Sequence, residues 1–200
     1  MAVMASAVTS SDETRSRIAR AAIRLFATQG FDGTSVREIA ESAGVTKPVL
    51  YYYYGSKEKL YVAMIEECYE RCRKHTAQSE QHKGPFRERL RYLLKNEFDY
   101  HVSDEETARM LYTVAFAPQR NSPNVNLYEL EKPHLEILEN VIRDGIESGE
   151  VRQVSVKDAA ILLLGMINIH VMGLVVLGDP PTAEDVEQIV SVFVDGVGAK

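Results

Sequence analysis

Cysteine is scarce in this sequence: Cys68 and Cys72 are the only two, one helical turn apart. A secreted disulfide framework needs more, so the chain is not read as one. The N-terminus, MAVMASAVTSSDE, has neither a cationic start nor a sustained apolar run. That argues against a signal peptide and for a cytoplasmic protein. No stretch alternates polar and apolar residues long enough for a strand, and no internal repeat is found. Glycine-rich phosphate loops, Ser-His-Asp-like arrangements and metal boxes are missing too. No enzyme, cofactor or metal site is therefore expected. Excess positive charge is also lacking: a formal net charge of −6 excludes a general nucleic-acid coat.

What is present suits a folded chain of one medium domain, or a small domain fused to a larger one. The 200 residues are 45% hydrophobic and 26% charged, enough for a core and ordinary for a globular protein. The charge is uneven. Residues 10–60 hold eight Lys and Arg against six Asp and Glu, whereas the remainder of the chain holds fifteen against twenty-three.

The basic balance falls on the most informative stretch, TSVREIAESAGVTKPVLYYYYGSKEKL, from Thr34 to Leu60. Thr34 or Ser35 can N-cap a helix whose apolar residues Val36, Ile39, Ala40 and Ala43 follow helical spacing. Gly44 supplies the left-handed residue that ends it, and Val45 plugs the angle beyond. Thr46 can cap the next helix, with Pro48 in the first turn, where a missing N–H costs nothing. This short second helix must lean on its neighbours through Leu50 and Tyr54. Lys47, Pro48, Tyr51, Tyr52 and Tyr53 are then left outside. A helical hairpin with aromatic core filling is the plain alternative. Turn, cap and outward polar groups together point to a helix-turn-helix for the DNA major groove.

Elsewhere every segment reads as helix. Residues 1–11 are expected as a disordered tail, with Ser10 and Glu13 forming a capping box for a helix that buries Ile18, Ala21, Ala22, Leu25 and Phe26. Gln29-Gly30 stops that helix, and Phe31 folds back onto Phe26, Ile39 and Leu50. A helix capped by Ser56 runs to about His75, before the breaker QSEQHKGP. Phe86, Leu90, Leu93, Leu94 and Phe98 mark another. Ser103 with Glu106 is expected to cap the next, which ends near Ala117. A helix from about Asn126 to Ser148, containing Pro133, turns Leu127, Leu130, His134, Leu135, Leu138, Val141 and Ile142 inward. Ser155 with Asp158 then opens AAILLLGMINIHVMGLVVLG, apolar all round except for Asn168 and His170. Its length approaches a membrane span. The mid-span polar residues and the absence of a basic flank favour burial between protein surfaces instead. Thr182 with Asp185 caps the last helix, where Val186, Ile189, Val190, Phe193 and Val197 form a second stripe. Two such helices per chain, paired across a two-fold axis, would make a four-helix homodimer interface. The chain is expected to be all α: a helix-turn-helix domain over residues 12–58, then an effector-binding and dimerisation domain over 59–200.

The run TRSRIARAAIRLFATQGFDGTSVREIAESAGVTKPVLYYYYGSKEKL, Thr14 to Leu60, resembles the TetR family of transcriptional regulators. Ala21-Ala22, Leu25-Phe26, Gly30-Phe31, Thr34-Ser35-Val36, Ile39-Ala40, Ala43-Gly44-Val45, Leu50-Tyr51 and Ser56-Lys57-Glu58 match its pattern in order and spacing. Tyr53-Tyr54 and Gly55 depart from it mildly. The resemblance implies a homodimer on a near-palindromic double-stranded DNA operator, its recognition helices about one DNA turn apart (roughly 34–36 Å), released by a small-molecule effector. Repression is the usual role in the family.

The expected DNA contacts are Thr34, Ser35, Arg37, Thr46, Lys47, Pro48, Tyr51, Tyr52, Tyr53 and Lys57. Arg37 stands where the family can reach a base, and an arginine there can fork onto guanine. Its plain alternative is an i,i+4 pair with Glu41. Tyr51, Tyr53 and Lys57 suit phosphate, while Pro48 and Tyr52 suit thymine methyls. For the effector the candidates are Tyr92, Phe98, Tyr112, Phe116, His134, Asn168 and His170, polar-tipped or aromatic groups on apolar helix faces. Core packing is the ordinary reading of any one of them, and Asn168 and His170 suit an interface too. Cys68, Cys72 and His75 lie along one helix, which allows a redox or metal sensor. Reduced thiols without such a role are the ordinary reading. A helical enzyme or an interaction scaffold that ignores DNA is the alternative of a different class.

Overall fold

The computed structural model describes residues 2–116 and 121–197, with side chains placed for 11–116 and 121–196. It is all α. The helices are α1 (Ala2–Gly33), α2 (Val36–Ala43), α3 (Lys47–Tyr54), α4 (Lys57–Ala77), α5 (Phe86–Ser103), α6 (Glu105–Phe116), α7 (Leu127–Glu147), α8 (Val156–Met172) and α9 (Ala183–Val197). A 3-10 turn (Gln78–Gln81) follows α4, and a π-helical turn (Gly173–Leu177) follows α8. The chain divides into two compact units, Met1–Cys68 with Arg109–Val125, and Tyr69–Ala108 with Asn126–Lys200. The first is larger than the 12–58 segment expected. Gly55 and Ser56 mark a turn, but the core continues into α4 through Leu60, Tyr61, Met64 and Ile65, all buried.

In the first unit, α1 begins at Ala2, so the backbone over residues 2–11 is helical where a tail and a Ser10 cap were expected. The segment holds three alanines and no glycine or proline before Ser10, so nothing in it breaks a helix. The regular geometry of α1 fails at Gly30, φ 69°. That turn brings Phe31 to 6.3 Å from Phe26. Tyr61 completes the aromatic group, edge-on to Phe26 at 4.9 Å and to Phe31 at 5.0 Å. Ile18, Ala22, Ile39 and Leu50 are fully buried around this core.

In the second unit, α5 packs against α7, α8 and α9. Capping follows the sequence at Ser155 and Thr182, whose side chains accept from the N–H groups of Asp158 and Asp185, and Asn126 caps α7 by accepting from the Glu129 N–H. The start of α6 differs. Ser103 closes α5 by donating to the Tyr100 carbonyl, and Asp104 accepts from the N–H of Thr107 instead. A carboxylate is the stronger acceptor and also complements the positive end of the helix. The apolar stripe of α9 differs as well: Val186, Ile189, Val190 and Phe193 are buried within the chain, leaving Val192 exposed. The stretch Val156–Leu177 is long and apolar enough to cross a membrane by length and composition, with mean hydropathy 2.4, and is 33% buried.

A tight point in this unit is Gly145 on α7. A Cβ there would stand 2.7 Å from both Phe86 Cδ2 and Val151 Cγ2. Gly145→Ala should cost about 1–3 kcal/mol by overpacking, despite the helix propensity it gains. Urea unfolding checks this, and an unchanged midpoint would show that the ring has room to move.

Candidate functional site

The helix-turn-helix is built from α2 and α3. Ser35, not Thr34, is the N-cap of α2: its hydroxyl accepts from the Glu38 N–H at 3.2 Å and its own N–H reaches the Glu38 carboxylate at 2.8 Å. The bonds from the Ser35 side chain and backbone hold the exposed Glu38 carboxyl below its usual range. Thr34 is 2% exposed, its hydroxyl donating to the carbonyls of Gly30 and Leu25, so it tethers the turn and has no surface for DNA. Gly44 ends α2 at φ 64°, ψ 39°, and its N–H closes onto the Ala40 and Glu41 carbonyls.

Thr46 occupies the N-cap position of α3 but makes no side-chain cap bond. The helix is anchored by Leu50 and Tyr54, both buried, and the Arg15 guanidinium lies 5.9 Å from the Tyr54 ring centre. Thr46, Lys47, Pro48, Tyr51 and Tyr52 are exposed together on the other side, Tyr52 most of all at 84%. Tyr53 is half-buried, with its hydroxyl 3.1 Å from that of Ser11. Ser56 caps α4 through the Lys59 N–H. Lys57 at its start holds its ammonium 4.1 Å from the Phe31 ring centre, a cation–π contact. Arg37 pairs with Glu41 at 3.4 Å, both widely exposed. Such a pair contributes little and opens readily.

The effector candidates do not form one group. Tyr112 and Phe116 pack on each other at 5.1 Å in the first unit. The other five belong to the second. Tyr92 is 41% exposed and stacks on His82, and Asn168 faces outward. Phe98 is buried, 5.6 Å from His170, whose Nδ1 donates to the Met166 carbonyl. A cavity of about 230 Å³ opens beside Phe98, with Arg91, Lys95, Thr182, Val186 and Glu187 in its wall.

His134 belongs to a buried polar cluster that the sequence did not announce. Glu97 on α5 is 1% exposed. Its Oε1 lies 3.5 Å from His134 Nε2 and accepts a hydrogen bond from the Thr76 hydroxyl. Its Oε2 lies 3.9 Å from His101 Nε2, which is also 3.9 Å from Cys72 Sγ. His134 Nδ1 is 2.9 Å from Glu131 Oε1. Burial opposes a charge on His134, but the Glu97 carboxylate, with help from Glu131, outweighs it and holds the pKa up at about 10. Burial likewise raises Glu97, and the charge on His134 outweighs it and lowers the pKa. His101 has its pKa pushed down, by burial above all. The expected Cys68, Cys72 and His75 trio is not what gathers here: Cys68 falls in the first unit and His75 stacks on Tyr100.

The sequence profile "Bacterial regulatory proteins, tetR family" matches residues 18–64, and "Tetracyclin repressor-like, C-terminal domain" matches residues 83–175. The chain belongs to the TetR family. Among curated TetR-family relatives, the transcriptional repressor NicS of Pseudomonas putida is 32% identical over 51% of this chain and 48% of its own length. The fatty acid metabolism regulator protein of Bacillus subtilis is 25% identical over 76% of this chain and 78% of its own. This chain thus spans about half the length of the first relative and most of the second. The TetR-type fold recurs in the structure of FadR from Bacillus subtilis in complex with stearoyl-CoA. Its TM-score is 0.77 at 22% identity, covering 92% of this chain and 99% of that one.

Among the functional candidates of this TetR-family chain, Glu97 and His101 are those that sequence reading does not single out. A signal did exist. Leu90, Leu94, Glu97 and His101 recur at i, i+4, i+7 and i+11, so Glu97 sits on the apolar stripe of α5 and not on its charged face.

Proposed function

We propose that the chain is a transcriptional repressor that holds a near-palindromic DNA operator as a homodimer and releases it when a small molecule binds. One observation carries the reading: Thr46, Lys47, Pro48, Tyr51 and Tyr52 stand exposed on one side of α3 while Leu50 and Tyr54 root the other. That is a short rod with cationic, hydroxyl and apolar contacts on its free face, as the major groove requires. Arg37 joins it when the Glu41 pair opens, and Ser35, Tyr53 and Lys57 supply phosphate contacts at its margins.

The homodimer forms through α8 and α9, where Ile161, Leu162, Ile169 and Val192 are exposed. This use of the apolar stretch, together with the family, supports a cytoplasmic protein rather than a membrane-spanning one. The effector site lies in the second unit, with Phe98 and His170 as its aromatic and polar groups. The effector acts by binding one of two conformations better, and α4, unbroken from Lys57 to Ala77, carries the change toward α3. Stearoyl-CoA, present in the Bacillus subtilis FadR structure, is the first compound to test.

Selection of bound duplexes from a random pool tests the reading. It should return inverted half-sites about one helical turn apart. On that duplex Lys57→Ala should weaken binding to every sequence alike. It should also reduce the slope of log K against log salt by about two per dimer, one for each half-site. Arg37→Ala should instead relax the base preference. No enrichment at low salt would overturn the proposal.

A further inference from the structure

Three helices converge on the buried cluster within the second unit: the C-terminal part of α4 brings Cys72, α5 brings Glu97 and His101, and α7 brings His134. One donor atom from each of Cys72, Glu97 and His101 lies within 4.8 Å of the other two. All four side chains are at least nine-tenths buried, the most exposed being His134 at 7%. Glu97 Oε2 makes no hydrogen bond in this packed interior, and His134 Nε2 faces only Glu97 Oε1, at 3.5 Å and without good hydrogen-bond geometry. Burying polar atoms without full hydrogen bonding is unfavourable, so the arrangement calls for a ligand that would satisfy both.

We propose that these residues form a site for a divalent transition metal of the zinc type, with Cys72 Sγ, a Glu97 oxygen and His101 Nε2 as ligands and His134 Nε2 as the fourth. Sulfur, nitrogen and carboxylate oxygen are a zinc donor set and a poor one for magnesium or calcium. Bonds of about 2.0–2.3 Å in a tetrahedron place neighbouring donors roughly 3.3–3.8 Å apart. The 3.9 Å separations of His101 Nε2 from Glu97 Oε2 and from Cys72 Sγ need only small side-chain rotations to close. His134 Nε2, 3.5 Å from Glu97 Oε1 and outside that group of three, must give up its proton and swing further in to become the fourth ligand. Charge agrees as well. A thiolate and a carboxylate bring two negative charges, which a divalent cation neutralises inside an apolar interior.

The surrounding groups are those that orient ligands. His134 directs its Nδ1 to the Glu131 carboxylate at 2.9 Å, which aims Nε2 inward, and the Thr76 hydroxyl fixes Glu97 Oε1. A histidine ligand whose other ring nitrogen meets a carboxylate is the usual outer-shell arrangement of zinc sites. The site shares only Cys72 with the trio singled out along the sequence, because its donors come from three helices and not from one.

The test uses the full chain, stripped with a chelator and then given Zn²⁺ or Co²⁺ alone. One equivalent per chain should survive dialysis. The Co²⁺ form should show the intense visible bands of a tetrahedral ion and a near-ultraviolet thiolate-to-cobalt band. Cys72→Ser should abolish the thiolate band and weaken binding by more than the roughly 10–100-fold that an outer-shell change costs. Cys68→Ser should leave both unchanged. Substoichiometric metal, or a Co²⁺ spectrum without a thiolate band in the parent protein, overturns the proposal even if Cys72→Ser fails to fold. A thiolate band that persists in folded Cys72→Ser overturns it too. DNA is absent from this experiment, so its outcome stands apart from that of the operator selection.

Discussion

Replacing Leu162 and Ile169 together by glutamate should yield a folded chain that sediments as a monomer and binds operator about 10²–10⁴-fold more weakly. The two side chains are 63% and 54% exposed, so the charges meet water in a single chain and should leave its core intact. In a dimer the same charges would be buried against a symmetry-related pair, with repulsion added to desolvation. Gly165 lies between them on the same face of α8. A Cβ placed there would meet nothing within 4 Å, so a second backbone can approach closely. The loss in DNA affinity follows from linkage: a dimer's second half-site binds at high effective concentration, and a monomer loses that advantage without losing any contact at the first. Sedimentation velocity and fluorescence anisotropy on the selected operator give the two readouts. A double variant that remained dimeric would move the interface away from this face. One that became monomeric yet bound as before would remove the need for a dimer.

The parts of this molecule legible in the sequence are those whose causes are local. Gly44, Ser155 with Asp158 and Thr182 with Asp185 each fix a helix end within a few residues, and the chain folds there as the pattern predicts. The all-round apolarity of α8 likewise survives as an exposed hydrophobic face. What escaped depends on which of two satisfactory partners wins in space. Thr34 and Ser35 were equal as caps until Thr34 found the Gly30 and Leu25 carbonyls. Asp104 displaced Ser103 because it is the better acceptor at a helix start. The α9 stripe suits a partner chain as well as its own, yet α5 takes it first. Glu97 was hidden by composition. In FRERLRYLLKNEFDYHVS one more carboxylate looks like surface, and only its place on the Leu90–Leu94 stripe tells otherwise.

That carboxylate should also dominate stability. Glu97→Ala is expected to cost about 3–5 kcal/mol in chelator-treated protein, because it leaves His134 buried without its main counter-charge. Replacing Glu97 and His134 together by leucine should be far milder, since no unpaired charge remains. The pH dependence identifies the pair independently. His134 has an ordinary pKa of 6.5 raised to about 10 on folding, so its contribution is complete below 6.5 and is lost as pH rises through about 10. Glu97, lowered from 4.5, contributes above 4.5 and is lost as pH falls through its depressed value. His101, lowered from 6.5 by burial, resists protonation in the fold and so takes stability away as pH drops below 6.5. The three together place the cluster's greatest stabilisation near pH 6.5. In Glu97→Ala the alkaline decline should largely vanish, because the carboxylate that holds His134 charged is gone. Urea unfolding from pH 5 to 10 measures both effects. A variant that matched the parent at pH 6.5 and kept its alkaline slope would show that Glu97 and His134 are not coupled.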